Sequence, residues 1–165
     1  SRGLSLALRL TRLSGARVAL EWYSDWRAPG ARSSASGRTR FIDGAVLIID
    51  KGGAFRDHVA RLLGARNLGI EWTDSAPAAV RLCDETPVSV VMVNTSAPGI
   101  DPYELCSTIK AQEGGTSIAV VLMVSQAFPY DCSRARAAGV RGCLDKPITD
   151  RVLVGTLKRL LSLPA

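Results

Sequence analysis

Apolar residues from about position 45 onward fall into short continuous runs separated by segments with helical spacing. The continuous runs are Ala45 to Ile49, Leu68 to Thr73, Val88 to Val93, Ile118 to Val124 and Gly142 to Asp145. Short runs rich in β-branched residues are typical of strands that are buried on both faces of a parallel sheet. The pattern therefore predicts five strands between residues 45 and 145.

The segments between these runs repeat their apolar residues at the 3.6-residue spacing of an amphipathic helix. We predict helices over residues 55–63, Pro77 to Cys83, Pro102 to Ala111, Pro129 to Ala138 and Asp150 to Leu163. Asp101 is expected to cap the third helix, and Gly64 and Gly139 to end the first and fourth. The residues of the last helix expected to face the core are Val152, Leu153, Leu157, Leu160 and Leu161.

Alternation of strand and helix predicts an α/β fold with a doubly wound, five-stranded parallel sheet, because parallel strands need crossover helices. Polar residues follow several strands: Asp50, Asn94, Ser125 and Lys146. The carboxyl ends of parallel strands meet at one edge of the sheet, where open α/β folds bind their ligands. We therefore expect these side chains to converge on one rim.

The net charge of +6 is concentrated in an N-terminal extension. Residues 1–40 contain eight Arg and two acidic residues, whereas residues 41–165 contain thirteen basic and thirteen acidic residues. We divide the chain into an Arg-rich, poorly ordered arm and linker (1–40) and a folded domain (41–165). Three interpretations of the arm remain open: a weakly ordered extension, a basic contact for nucleic acid or an acidic partner, or a targeting or cloning segment.

Cysteine and histidine content bears on the cell compartment and on metal binding. The four cysteines contain no CxxC pair, which favours reduced, buried thiols and a cytoplasmic location over a disulfide frame or zinc site. The one histidine, His58, excludes a His cluster and is expected to be a solvated surface residue. No apolar run approaches the roughly 20 residues that span a bilayer.

Residues 45–162 resemble a response-regulator receiver domain, in a degenerate form. The resemblance implies a flavodoxin-like sheet of order 2-1-3-4-5. The acidic pair of the family falls on Asp50-Lys51 and its phosphoacceptor aspartate on Asn94. The Pro-Gly loop falls on Pro98-Gly99, and the Lys-Pro pair, usually joined by a cis bond, on Lys146-Pro147. The hydroxyl switch position falls on Val124, with Ser125 next to it, and the aromatic switch position on Cys143.

The departures from the family pattern predict loss of the phosphorylation switch. A carboxamide at Asn94 is not a usable nucleophile, and Lys51 replaces a carboxylate that would help to hold Mg²⁺, which prefers anionic oxygen ligands. Val124 lacks the hydroxyl, and alternation along a strand would direct Ser125 to the opposite face. A solvated Lys51 without a role is the favoured interpretation; alternatively, Lys51 could take the place of the metal beside Asp50, and Lys146 could bridge Asp50 and Asn94.

We therefore expect a pseudo-receiver, a signalling module without enzymatic activity, cofactor or bound metal. The resemblance implies protein partners, with a homodimer through helix four, strand five and helix five as one candidate. Residues expected on that face are Tyr130, Arg134, Arg136, Arg141, Cys143, Arg151 and Lys158.

Three alternatives to the pseudo-receiver remain open from sequence. One is a phosphorylation-dependent receiver with a displaced acceptor, for which only Asp101 and Ser96 lie nearby. The second is nucleic-acid binding through the basic arm, which the net-neutral domain does not support. The third and weakest is a flavin enzyme, because the loops lack a Ser/Thr-rich phosphate site.

Overall fold

The computed structural model describes residues 45–64 and 68–161. Their strands are β1 (Ala45–Ile49), β2 (Gly69–Thr73), β3 (Val88–Asn94), β4 (Ala119–Val124) and β5 (Gly142–Asp145). The helices are α1 (Ala54–Leu63), α2 (Ala76–Glu85), α3 (Pro102–Ala111), α4 (Cys132–Ala138) and α5 (Asp150–Leu160), with a 3₁₀ turn at Gly115–Ser117. The arm predicted over residues 1–40 lies outside the described residues.

All strand pairs are parallel and the sheet order is β2-β1-β3-β4-β5, as the resemblance implied. Alternate residues of the central strands face opposite layers. Leu47 and Ile49 of β1 pack in the layer under α2, α3 and α4, whereas Val46 and Ile48 pack in the layer under α1 and α5. The prediction of strands buried on both faces is therefore confirmed for β1 and β3.

Helix ends follow the capping residues more closely than the hydrophobic spacing. The Asp101 carboxylate accepts from the backbone N–H groups of Tyr103 and Glu104, so α3 begins at the predicted Pro102. The predicted start of the fourth helix at Pro129 is wrong. The Asp131 carboxylate accepts from Arg134 N at 3.0 Å and starts α4 at Cys132, leaving Pro129 in the preceding loop.

Two predicted burial patterns are wrong in part. Val152, expected among the inward residues of the last helix, is 49% exposed because the buried stripe of α5 runs through Leu153 and Leu157. Cys83 and Cys106 are buried as predicted, whereas Cys132 and Cys143 are exposed. The exposed pair lies at the start of α4 and on the edge strand β5, where the helical layers do not cover them.

Candidate functional site at the carboxyl edge of the sheet

The polar residues after β1, β3 and β5 meet at one rim, as the topology predicted. Asn94 joins two of them: its Nδ2 donates to Asp50 Oδ1 at 3.0 Å, and its Oδ1 accepts from Lys146 Nζ at 2.5 Å. The Lys146–Pro147 bond is cis, as in the family pattern. Asn94 is thus the central contact of the rim, donating to an anion and accepting from a cation.

Asp50 and Asn94 each accept a further hydrogen bond from the backbone. Asp50 Oδ1 also accepts from the backbone N–H of Lys51 at 2.7 Å, and Asn94 Oδ1 also accepts from the backbone N–H of Ser96 at 2.9 Å. The carboxamide therefore uses its donor and its acceptor at once, which a carboxylate at position 94 could not do.

Lys51 has the solvated position that the sequence favours, and Lys146 makes one of its two predicted contacts. The Lys51 side chain is exposed, and within residues 45–64 and 68–161 it forms no ion pair with Asp50. Lys146 contacts Asn94 as predicted but forms no ion pair with Asp50 in those ranges. Lys51 meets Asp50 through its backbone N–H alone, and this leaves the ammonium free to stay in water. The proposed metal-like position of Lys51 is therefore not adopted.

The loop after β3 satisfies its own backbone donors. Thr95 N donates to Met123 O, Ser96 N to the Asn94 side chain, and Ala97 N to Asn94 O. The Thr95 hydroxyl donates to Met123 O at 3.0 Å and accepts from Ser125 N at 3.2 Å, so it joins β3 to the end of β4. These N–H groups are therefore not available as donors to a bound anion.

The prediction that Ser125 points to the opposite face of the sheet is wrong. Strand β4 ends at Val124, whose side chain is 7% exposed and packs in the layer under α2, α3 and α4. Ser125 lies beyond the strand, so the period of two no longer fixes its direction. It lines the same cleft as Asp50, Asn94 and Lys146.

That cleft has a volume of about 690 Å³ and extends from the rim between α1 and the loop before α5. His58 lines it and is half-buried: its Nε2 lies 2.7 Å from Asp150 Oδ1, and its Nδ1 lies 3.4 Å from Arg61 Nη2. His58 keeps 37% of its side chain exposed, as predicted for a surface residue, but its contact with Asp150 is not predicted from sequence. The contact joins the first helix to the last across 92 positions, a distance that no local pattern reveals.

On the opposite side of the rim, Tyr103 on α3 contacts the segment that begins α4. Its hydroxyl accepts from Asp131 N at 2.8 Å, and the Arg134 guanidinium lies 4.6 Å from its ring centroid. Arg134 Nη2 also contacts Asp101 Oδ2 at 3.3 Å. Arg134 therefore joins α4 to α3 while its side chain stays 58% exposed, and its place on a partner face stays a prediction. Of the other residues predicted on that face, Tyr130, Arg136, Arg141, Cys143 and Arg151 are exposed and Lys158 is half-buried.

Burial changes the acidity of groups away from the rim. It raises the pKa of Glu71, on β2, from 4.5 to about 7, against the opposing charge of Arg56. It also raises the pKa of the Cys83 thiol to about 12, with a further contribution from Glu71, and that of Cys106 to about 11. Burial thus favours the protonated thiol over the reactive thiolate at both cysteines.

The donor set of the rim does not fit Mg²⁺, the ion that the resemblance implies. Asp50 is the carboxylate at the rim, and the oxygen of Asn94 that would face a metal already accepts from an ammonium. In the described part of the chain no group of three or more His, Cys, Asp or Glu side chains could hold a metal. A hard cation would have to displace Lys146 from Asn94 to gain one neutral oxygen ligand.

Comparison with known proteins adds a family match. The profile of the response regulator receiver domain matches residues 46–158. The chain is 31% identical over 156 residues to the virulence sensor protein BvgS of Bordetella parapertussis, covering 88% of this chain but 12% of that protein. Protein PilG of Pseudomonas aeruginosa is 27% identical over 116 residues, which cover 68% of this chain and 84% of PilG.

Solved structures agree with this match. The signal receiver domain of a histidine kinase from Syntrophus aciditrophicus is 28% identical with a TM-score of 0.61, covering 72% of this chain and 90% of that one. A receiver domain of a DNA-binding response regulator from Colwellia psychrerythraea is 26% identical with a TM-score of 0.63, covering 73% and 99%. Among the helices described, none is long and apolar enough to cross a membrane.

Proposed function

Because the chain belongs to the response-regulator receiver domain family and has a carboxamide at the family's acceptor position, we propose that it acts as a pseudo-receiver. In this role it binds protein partners of a two-component signalling pathway without being phosphorylated. The proposal includes a cytoplasmic location and assigns no catalytic step to the chain.

The observation that carries the proposal is the bonding of Asn94. An aspartate at this position would place two carboxylates about as close as the present 3.0 Å contact, and such a pair needs a bridging cation or proton. The Nδ2 donor of Asn94 removes that need, because Asp50 is satisfied by hydrogen bonds alone. Lys146, at the position of the family's Lys-Pro pair, is already paired with the neutral amide oxygen of Asn94.

The surroundings of the rim support a single fixed conformation. A receiver signals by moving a hydroxyl side chain at the end of β4, and Val124 has no polar atom that could follow a phosphoryl group. The Thr95 hydroxyl instead holds Met123 and Ser125, and Arg134 holds α4 to α3. We therefore expect the partner-binding form to be constitutive.

Incubation with a small-molecule phosphodonor and Mg²⁺ tests the proposal, with the intact mass of the protein as the readout. We expect no gain of a phosphoryl group by the native chain at any donor concentration that modifies the control. The control is the chain carrying Lys51→Asp and Asn94→Asp together, which restores the acidic pair and the acceptor carboxylate.

Phosphorylation of the native chain that resists acid and is lost in base would overturn the proposal, since that lability is typical of an acyl phosphate. Mapping the modified residue to Asp101 would then favour the phosphorylation-dependent alternative with a displaced acceptor. Partner capture by the native chain and by the double variant, compared without donor, measures whether the rim affects binding at all.

A further inference from the structure

Two thiols lie on the surface of the domain, outside the hydrogen-bond network of the rim. Cys132 is the first residue of α4 and Cys143 lies on the edge strand β5, and both are exposed. The proposed function gives neither of them a role.

The pairing of β5 with β4 shows on which face of the sheet Cys143 lies. Cys143 pairs with Leu122, which packs in the layer under α2, α3 and α4. The next residue, Leu144, packs in the layer under α1 and α5. Because successive side chains of a strand point to opposite faces, Cys143 is on the same face of the sheet as α4.

The helical position of Cys132 shows which side of α4 it occupies. Ala135 is buried against the sheet, and Arg134 marks the side toward α3, because its guanidinium lies 4.6 Å from the ring centroid of Tyr103. At about 100° per residue, Cys132 lies about 160° around the helix from Arg134, on the opposite side of Ala135. That side faces β5, since β5 is the outer neighbour of β4 in the sheet. Cys132 and Cys143 therefore face the same gap, between the first turn of α4 and β5.

Tyr130, in the loop before α4, is influenced by both thiols. Partial burial raises the pKa of its hydroxyl above its usual value, and so does Cys143, through its charge and a side-chain hydrogen bond. Cys132 contributes a smaller effect of the same sign. The two thiols thus act on one hydroxyl group, as expected if they face one gap.

We infer that Cys132 and Cys143 form a reversible disulfide bond, so that the surface between α4 and β5 responds to oxidation. With hydrogen peroxide as the oxidant, one thiolate attacks a peroxide oxygen, and a sulfenic acid and one water are formed. The second thiolate then attacks that sulfur, closes the S–S bond and releases a second water. The two thiols lose two electrons and two protons in total, and the peroxide takes them up.

The bond connects the first turn of α4 to the edge of the sheet. Tyr130 and Cys143 belong to the face predicted for protein partners, so oxidation changes that face without involving the rim. Transient disulfides of this kind are the usual form in which cytosolic proteins sense oxidants. The inference does not depend on whether Asn94 accepts a phosphoryl group.

Non-reducing peptide mapping of the full chain tests this inference after brief exposure to hydrogen peroxide and alkylation of the remaining thiols. Trypsin places Cys132 in peptide 111–134 and Cys143 in peptide 142–151, whereas both buried cysteines lie in peptide 82–110. We expect the first two peptides to be joined and the intact mass to fall by two hydrogen atoms. Dithiothreitol should restore both thiols.

The matched control moves one thiol by a single position. A variant with Cys132→Ser and Ser133→Cys keeps the composition, but its new thiol lies a further 100° or so around α4 and points away from β5. It should form the joined peptides roughly tenfold more slowly, because cysteines whose Cβ atoms point apart bridge only after the backbone moves. Thermal unfolding shows whether this variant is folded.

Three results would overturn the inference. One is bond formation at the same rate in the control variant, which would show that closeness in sequence is enough. The second is oxidation of the exposed cysteines to sulfinic acid without any joined peptide. The third is a disulfide that appears only in covalent dimers, which would assign it to two copies of the chain.

Discussion

Replacing Glu71 by glutamine should stabilise the protein at alkaline pH and have the least benefit in acid. Glu71 is 3% exposed on β2, and its Oε2 has no hydrogen-bond partner. Burial disfavours the ionised carboxylate and raises its pKa from 4.5 to about 7, with the Arg56 charge acting in the opposite direction. The folded chain therefore binds this proton more tightly than the unfolded chain does.

The sign and size of the pH effect on stability follow from the difference between the pKa of Glu71 in the folded and in the unfolded chain. Both states are protonated below about pH 4.5, so nothing is lost there; stability then falls as the pH rises through about 7. At about 1.4 kcal/mol per pKa unit, a rise of about 2.5 units corresponds to roughly 3 kcal/mol at pH 8. A glutamine side chain cannot ionise, so the variant avoids this loss. Any cost of placing an amide at this position is the same at both pH values and cancels in the comparison.

Urea unfolding of the native chain and Glu71→Gln at pH 4 and pH 8 measures the effect. The stability difference between the two proteins should shift by roughly 3 kcal/mol in favour of the variant between these pH values. Glu104→Gln, which removes an exposed carboxylate on α3, is the matched control and gives the baseline against which the Glu71→Gln shift is measured. A difference for Glu71→Gln that does not change with pH would refute the reasoning.

Three further predictions concern the rim, a helix cap and the thiols. In urea unfolding at pH 7, Asn94→Asp should lower the free energy of unfolding by about 1–3 kcal/mol, because it replaces a donor to Asp50 by a second carboxylate. Acid should restore the lost stability. Unchanged stability would contradict the rim network. Asp101→Ala should cost about 0.5–2 kcal/mol, because α3 loses its capping acceptor; a neutral result would contradict the cap. A thiol reagent should modify Cys132 and Cys143 rapidly in the native state and the two buried cysteines only on unfolding; four equally fast reactions would contradict the assigned burial.

The sheet is predictable from sequence because its strands carry an unambiguous signal. Continuous β-branched runs such as Ala45–Ile49 and Val88–Asn94 leave no polar face, so they fit only the interior of a parallel sheet covered on both sides. The convergence of Asp50, Asn94 and Lys146 follows from topology alone. The strand order comes from the family resemblance and is confirmed.

The sequence does not reveal contacts between residues far apart along the chain, and it misplaces one helix start. The contact of His58 is missed because Asp150, which lies against it, is on the last helix. The predicted fourth helix starts too early because Pro129 and Asp131 both suit a helix start, and the Asp131 cap decides between them. Arg134 is exposed, and its contacts with Tyr103 and Asp101 are not predicted because they are tertiary.

Amide NMR spectra of the native chain before and after addition of phosphodonor and Mg²⁺ test the central claim most directly. The Thr95 and Ser125 amides report the rim, and the Ala135 and Cys143 amides report α4 and β5. Our account predicts no shift at either place in the native chain, and shifts at the rim in the Lys51→Asp, Asn94→Asp double variant. Donor-dependent shifts that spread from the rim to α4 and β5 in the native chain would contradict it.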